Sequence, residues 1–326
     1  MKKIEKRNLN IDEIPQEAGY YFLSGEANIL FCGKTQNLRK SIQNIRSVGK
    51  DDKNIFQLFS LTRKINYQVT DSLFSALLEE KKIIEKHHPQ FNDTIKQYQN
   101  YVYLAIDFYN VPFFKITEHT TENYYYLGPF KNRFYLYDLI DVMADLFRLP
   151  SCEDENFPCR KLKDKTCLGW CLKSKPELAE MLLLNYLQIN VELVPELQKK
   201  LEKLESDLEF QKAEKLKKQI AIIKDFYDKI RFFHVTKKLD SKLKINDADI
   251  DISAGMVLQI SSQNKIYDFV VLNPEYRDNE FLAHDKSEYS ERFIIFKEFC
   301  KNKLEQIESI YKASTMEMKK KLEMND

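Results

Sequence analysis

No stretch of this 326-residue chain is apolar over the roughly 18 positions a helix needs to cross a bilayer. Its charged opening, MKKIEKRNLNIDEIPQEAGY, has no apolar core ahead of a small-residue cleavage site. These two absences predict a soluble, cytoplasmic protein with no membrane partner. An excess of charge of one sign is missing too. With 51 basic and 50 acidic residues the net charge is only +1, so any contact with nucleic acid must come from local clustering. Cysteine is scarce outside one segment. Cys32 and Cys300 stand alone, while Cys152, Cys159, Cys167 and Cys171 are spaced C-x6-C-x7-C-x3-C. Paired C-x2–4-C knuckles, which structural zinc favours, are absent. With no secretory leader in view, thiolates gathered this closely point to a metal or an iron–sulfur cluster rather than to disulfides.

What is present suffices for about two domains: 43% of residues are hydrophobic and 31% charged. The patterns predict an α/β (α+β) protein in four regions, 1–98, 99–175, 176–230 and 231–326. In the first, two short apolar runs at 20–23 and 28–32 flank the turn-like Ser24, Gly25 and Glu26 as in a hairpin. Helices are expected at 37–48 and 71–87, with Asp71 as N-cap and Pro89 as terminator. The second region offers aromatic strands near 101–108 and 124–127, a turn at Gly128 and Pro129, and a helix at 135–147 leading to Cys152. The third is helical from 194 to 230, with Leu197, Leu201, Leu204 and Leu208 forming one apolar stripe. Strands near 231–235, 256–260 and 266–272, a helix at 289–311 and a polar tail complete the expectation.

The segment AGYYFLSGEANILFCGKTQNLRK joins a Gly-x-Tyr strand, a second strand ending in Gly33-Lys34, and a helix opened by Asn37-Leu38-Arg39. Together with ALLEEKKIIEKHHPQFN at 76–92 and YLGPF at 126–130, it resembles the GIY-YIG nuclease domain in the form found in the excinuclease UvrC. The resemblance spans about residues 13–230. It implies metal-dependent phosphodiester incision, with Glu80 as the Mg²⁺ or Mn²⁺ ligand. Tyr21 and Lys34 would position and acidify the attacking water, and Asn92 would steady the phosphate or water shell. Gly33, Lys34, Arg39, Lys40 and Arg46 would lie against DNA. Lys34 to Lys64 holds only Asp51 and Asp52 as acids, a local basic surplus suited to phosphates.

Three expected active-site residues are replaced. The second-strand tyrosine is Phe31, the helix arginine is Ser41, and a following tyrosine is Ile45. A phenyl ring accepts no proton, and loss of a charge-stabilising donor removes on the order of a hundredfold in rate. Arg39 lies two residues from position 41, about 200° around a helix, and is a poor substitute.

The same resemblance implies a 4Fe–4S cluster on Cys152, Cys159, Cys167 and Cys171, with zinc as the alternative and Trp170 shielding the site. LESDLEFQKAEKLKKQI at 204–220 is similar to the UVR helical hairpin. Leu208, Phe210, Ala213, Leu216 and Ile220 stand at its apolar positions, and a UvrB-like helicase, or another UVR-bearing or exonuclease protein, is the implied partner. About 95 residues follow, with few clustered Asp and His, which leaves no room for the family's RNase H-type nuclease or helix–hairpin–helix module. Two functions follow: a shortened UvrC-like repair nuclease, or a non-catalytic DNA-binding adaptor.

Overall fold

A computed structural model describes residues 1–48, 52–95, 98–107, 113–120, 124–148, 160–166, 169, 193–245, 247–262, 265–269 and 282–323. The chain forms two compact units. One comprises Met1–Gln99, Leu239–Leu272 and Ser290–Leu304; the other comprises Asn100–Lys238, Asn273–Tyr289 and Glu305–Asp326.

In the first unit, β1 (Lys2–Glu5), β2 (Gly19–Ser24), β3 (Ile29–Thr35) and β4 (Lys64–Val69) form an antiparallel sheet in the order β1-β4-β2-β3. The expected hairpin is β2–β3, in the register Tyr20↔Lys34 and Tyr21↔Gly33. Because strand side chains alternate, Tyr21, Leu23, Phe31 and Ile65 share one face. There they join Leu38 and Ile42 of α1 (Leu38–Val48), Leu58 of α2 (Lys53–Leu61) and Phe91 in a buried core. Helix α1 starts where the Asn37 Oδ1 accepts the Lys40 N–H at 2.9 Å.

Helix α3 (Leu73–His87) is N-capped by Ser72, whose hydroxyl accepts the Ser75 N–H at 3.0 Å, one residue beyond the expected Asp71. It ends at His88 in the left-handed conformation, just before Pro89 opens α4 (Gln90–Thr94).

The later part of this unit is a second antiparallel sheet. It runs β11-β10-β9-β8, from β8 (Ser241–Ile245), β9 (Ala248–Ser253), β10 (Met256–Ser262) and β11 (Lys265–Asp268). Helix α9 (Tyr289–Asn302) contributes Ser290 onward to the same unit.

In the second unit, β5 (Val102–Ile106), β6 (Phe114–Thr117), β7 (Tyr125–Phe130) and the short β12 (Leu282–Ala283) form a sheet in the order β12-β7-β5-β6. Here α5 (Arg133–Phe147) and the short α6 (Arg160–Lys163) precede a hairpin of α7 (Leu193–Ser206) and α8 (Phe210–Lys238). Asp145 of α5 accepts from Gln219 at 2.6 Å and pairs with Lys215 at 2.7 Å, fixing α5 to α8.

The strand expected at 231–235 is instead the last part of α8. Phe232, Phe233 and Val235 are all buried, so a helix apolar on every side is favoured over the strand their aromatic and β-branched character suggests. The expected polar tail is likewise largely helical, in α10 (Leu304–Glu323).

Candidate active site

The β2–β3 register puts Lys34 on the sheet face opposite Tyr21, turned toward α3. There its ammonium donates to Glu80 Oε2 at 2.6 Å, while its backbone N–H donates to Glu80 Oε1 at 3.1 Å. Both carboxylate oxygens are therefore held by one residue. Glu80 is buried, at 7% exposure, and Lys34 half-buried. Burial alone would push the Lys34 ammonium toward neutrality. The adjacent Glu80 charge and hydrogen bond offset it, Glu291 adds to them, and the ammonium is held above its ordinary value.

Tyr21 is nearly fully buried in the core. Burial first, then the charges of Glu80 and Cys32, push its hydroxyl up, so it stays a protonated phenol near neutral pH. A Cβ at Gly33 would lie 2.9 Å from the Tyr21 hydroxyl, so glycine is what lets this ring cross its strand neighbour. Phe31 stands 6.2 Å from Tyr21, centroid to centroid, and brings no hydroxyl. Tyr20 points to the other face and donates to Gln68 Oε1 at 3.0 Å; burial, with Glu79 and Cys32, pushes its pKa up to about 12.

Asn92, expected to steady a phosphate or water shell, bonds the backbone of β3. Its Oδ1 accepts the Cys32 N–H at 2.8 Å and its Nδ2 donates to the Cys32 carbonyl at 2.8 Å. In the sheet order β3 is a terminal strand, and this pair of bonds satisfies its outward backbone groups as a neighbouring strand would. Ser41, at the expected arginine position, donates its hydroxyl to Thr35 Oγ1 at 2.6 Å. Arg39 donates to the carbonyls of Ile14 and Asp12, each at 2.7 Å, which anchors the loop before β2. Lys40 and Arg46 are exposed, Gly33 is buried, and Ile45 packs against the core.

Among the described residues no group of three or more His, Cys, Asp or Glu side chains could enclose a metal. Glu80 alone fits a different demand. Magnesium keeps most of its water and takes one or two carboxylates, and the Lys34 ammonium shows that a cation sits stably against Glu80 Oε2. Cys152, Cys159, Cys167 and Cys171 lie outside the described residues. Of the hairpin positions, Ala213, Leu216 and Ile220 are buried, whereas Leu208 and Phe210, at the α7–α8 turn, are 71% and 64% exposed. None of the described helices is long and apolar enough to cross a membrane.

One residue of this neighbourhood escapes sequence reading. Glu291, from α9, binds Lys81 beside Glu80, and only folding brings positions 210 apart together.

Residues 17–93 match the model of the UvrC-like GIY-YIG domain family. UvrABC system protein C of Methanococcus maripaludis is 26% identical over 298 residues, covering 88% of this chain and 54% of that protein. The same-named protein of Rickettsia canadensis is 27% identical over 223 residues, covering 64% and 35%. The chain thus spans about half or less of the length of these relatives. Among solved structures, the magnesium-bound GIY-YIG N-terminal endonuclease domain of UvrC from Thermotoga maritima is 20% identical, covering 25% of this chain and 90% of that one with a TM-score of 0.24. Residues 17–93 are thus similar to the UvrC-like GIY-YIG domain, and the Lys34–Glu80 pair lies within them.

Proposed function

We propose that this protein acts on DNA in nucleotide excision repair, with a GIY-YIG centre that incises a phosphodiester in the presence of a divalent cation. The observation that carries this reading is the convergence of Lys34 from β3 and Glu80 from α3 at 2.6 Å, in a domain matched to the UvrC-like family. Glu80 would hold Mg²⁺ or Mn²⁺. When bound, the cation supplies Lewis-acid polarisation of the phosphate and a lower pKa for its water. Lys34 then stays charged at the centre and is available to the developing phosphate charge. Tyr21 starts on the opposite face, but its hydroxyl crosses Gly33 to the neighbourhood of Glu80, where it can donate to a water. Asn92 acts at one remove, by locking the strand that carries Lys34. Exposed Lys40 and Arg46 supply phosphate contacts along the DNA.

A second reading, a DNA-binding adaptor without incision, is favoured by Phe31 and Ser41. One brings no hydroxyl and the other spends its hydroxyl on Thr35. Incubating the protein with damaged and undamaged duplex and Mg²⁺ or Mn²⁺, with and without a UvrB-type helicase, separates the two. Incision lost in Glu80→Ala supports the nuclease; DNA binding with no Glu80-dependent incision under any condition supports the adaptor.

The exposed Leu208 and Phe210 would seat a UvrB-type or other UVR-bearing partner, with Ala213, Leu216 and Ile220 building the hairpin from inside. For the cysteines the family resemblance implies 4Fe–4S, with zinc as the alternative. Broad visible absorbance after anaerobic purification is the expected sign, and stoichiometric zinc without iron would overturn it.

A further inference from the structure

Directly after Glu80 in α3 comes Lys81, a second ammonium one residue from the carboxylate of the centre. It is not free to reach that carboxylate. Lys81 Nζ donates to both oxygens of Glu291, at 3.0 and 2.8 Å, and lies 4.5 Å over the ring of Phe269. Glu291 is in turn fixed, because its Oε1 accepts the Val257 N–H of β10 at 2.8 Å. The side chains of Lys81 and Glu291 are only 16% and 12% exposed, so water screens the pair weakly. All four residues belong to the same compact unit as Lys34 and Glu80. Two ammonium groups and two carboxylates are thus sorted into two pairs, one per lysine.

We propose that Glu291 is a positioning residue of the Glu80 centre: by clamping Lys81 against β10, it keeps a second ammonium from competing with the divalent cation for Glu80. The inference rests on the reading of Glu80 as the cation ligand. If Glu291 loses its charge, Lys81 becomes a half-buried cation without a counter-charge; Glu85, one turn on, is exposed, whereas the adjacent Glu80 is buried with it. A lysine chain is flexible enough to swing one position toward it. The later sheet then does more than pack beside the domain, since its Val257 N–H holds the clamp that leaves Glu80 with Lys34 alone.

The test is Mn²⁺ binding to the full chain, followed by the electron paramagnetic resonance of free Mn²⁺, with thermal melting alongside. Glu80→Ala is expected to abolish tight binding. Glu291→Gln is expected to weaken it about fivefold to tenfold, the scale of one uncompensated charge at close range in a partly buried site. Lys81→Met should leave affinity within about twofold of the parent or tighten it, and Lys81→Met/Glu291→Gln should restore it to that level.

A purely architectural Glu291 would lower the melting temperature without moving Mn²⁺ affinity, and that result would overturn the inference. So would a double variant still weakened fivefold or more, since Glu291 would then act on the cation directly. If Glu291→Gln fails to fold, Glu291→Asp, measured below its melting temperature, takes its place: weakened Mn²⁺ binding that Lys81→Met restores supports the clamp, and unchanged binding overturns it. Unchanged Mn²⁺ binding in Glu80→Ala would overturn the reading of Glu80 itself, whereas loss there with Glu291→Gln unaffected overturns the clamp alone.

Discussion

The two units differ in how tightly their buried charges are paired. The first hides whole charges, each beside its opposite: Lys34 against Glu80 and Lys81 against Glu291, at 2.6 and 2.8 Å. The second buries Asp107, with Lys115 no nearer than 3.8 Å, and two histidines bonded to hydroxyls. His234 Nδ1 meets Ser314 Oγ at 2.8 Å, and His284 Nε2 meets Thr236 Oγ1 at 3.0 Å. Taking charges out of water is costly even when they are paired, and an apolar replacement is often as stable. The two close pairs of the first unit are therefore where the proposed chemistry can be tested against a purely architectural role.

The largest effect expected from this contrast is at Glu80. Its replacement by alanine should remove divalent-dependent incision by at least about a hundredfold, because the carboxylate is the one acidic side chain bound to Lys34. Gel-resolved cleavage of a damaged duplex measures it. Incision that persists in this variant would break the assignment of chemistry to the first unit.

Next in size is a pH effect confined to the second unit. Burial first, then the neighbouring charges of Lys238 and Lys237, lower the His234 pKa from 6.5 to about 4. An unfolded chain therefore binds a proton that the folded one refuses as pH falls below 6.5. The stability from neutral His234 is present above that value and is lost progressively toward pH 4, about 3 kcal/mol in all. Thermal melting at pH 7 and pH 5 should show the loss, and His234→Gln should flatten it. An unchanged slope in that variant would erase the contrast between the units.

A gain rather than a loss tests the first unit more finely. Phe31 and Ser41 occupy the positions where the family resemblance calls for tyrosine and arginine. Phe31→Tyr together with Ser41→Arg should raise incision about tenfold, roughly 1.4 kcal/mol of barrier, if Lys34 and Glu80 already form a working centre. No gain in a folded double variant would favour the adaptor.

How much of this is legible in the sequence depends on how local the signal is. The β2–β3 hairpin, α1 and the α3 stop at His88-Pro89 are readable because turn, cap and period agree within a few residues. Motif position assigns Asn92 to a phosphate or water shell and Arg39 to DNA; the fold adds bonds to backbone carbonyls and amides, partners no spacing reveals. Glu291 is invisible for the same reason. Strands β8 and β9 go unread although a signal is there: KLKI and ADIDIS alternate between charged or small residues and apolar ones. Their apolar content is so low that the charge obscures the period.

Those same two strands supply the smallest and most local prediction. Their register sets Lys242 opposite Asp251 and Lys244 opposite Asp249, and Lys242 Nζ approaches the Asp251 carboxylate at 3.5 Å. The Lys242 side chain is 86% exposed, so the pair is screened and worth little, about 0.5 kcal/mol. Lys242→Asp should cost somewhat more than Lys242→Ala, since like charges would then face each other, and Asp251→Lys should recover the difference when combined with it. The recovery should shrink in high salt, where the buried Lys81–Glu291 pair of the same unit should be nearly indifferent. Equal salt sensitivity of both pairs would mean that burial is not what separates the charges kept for chemistry from those that only set strand register.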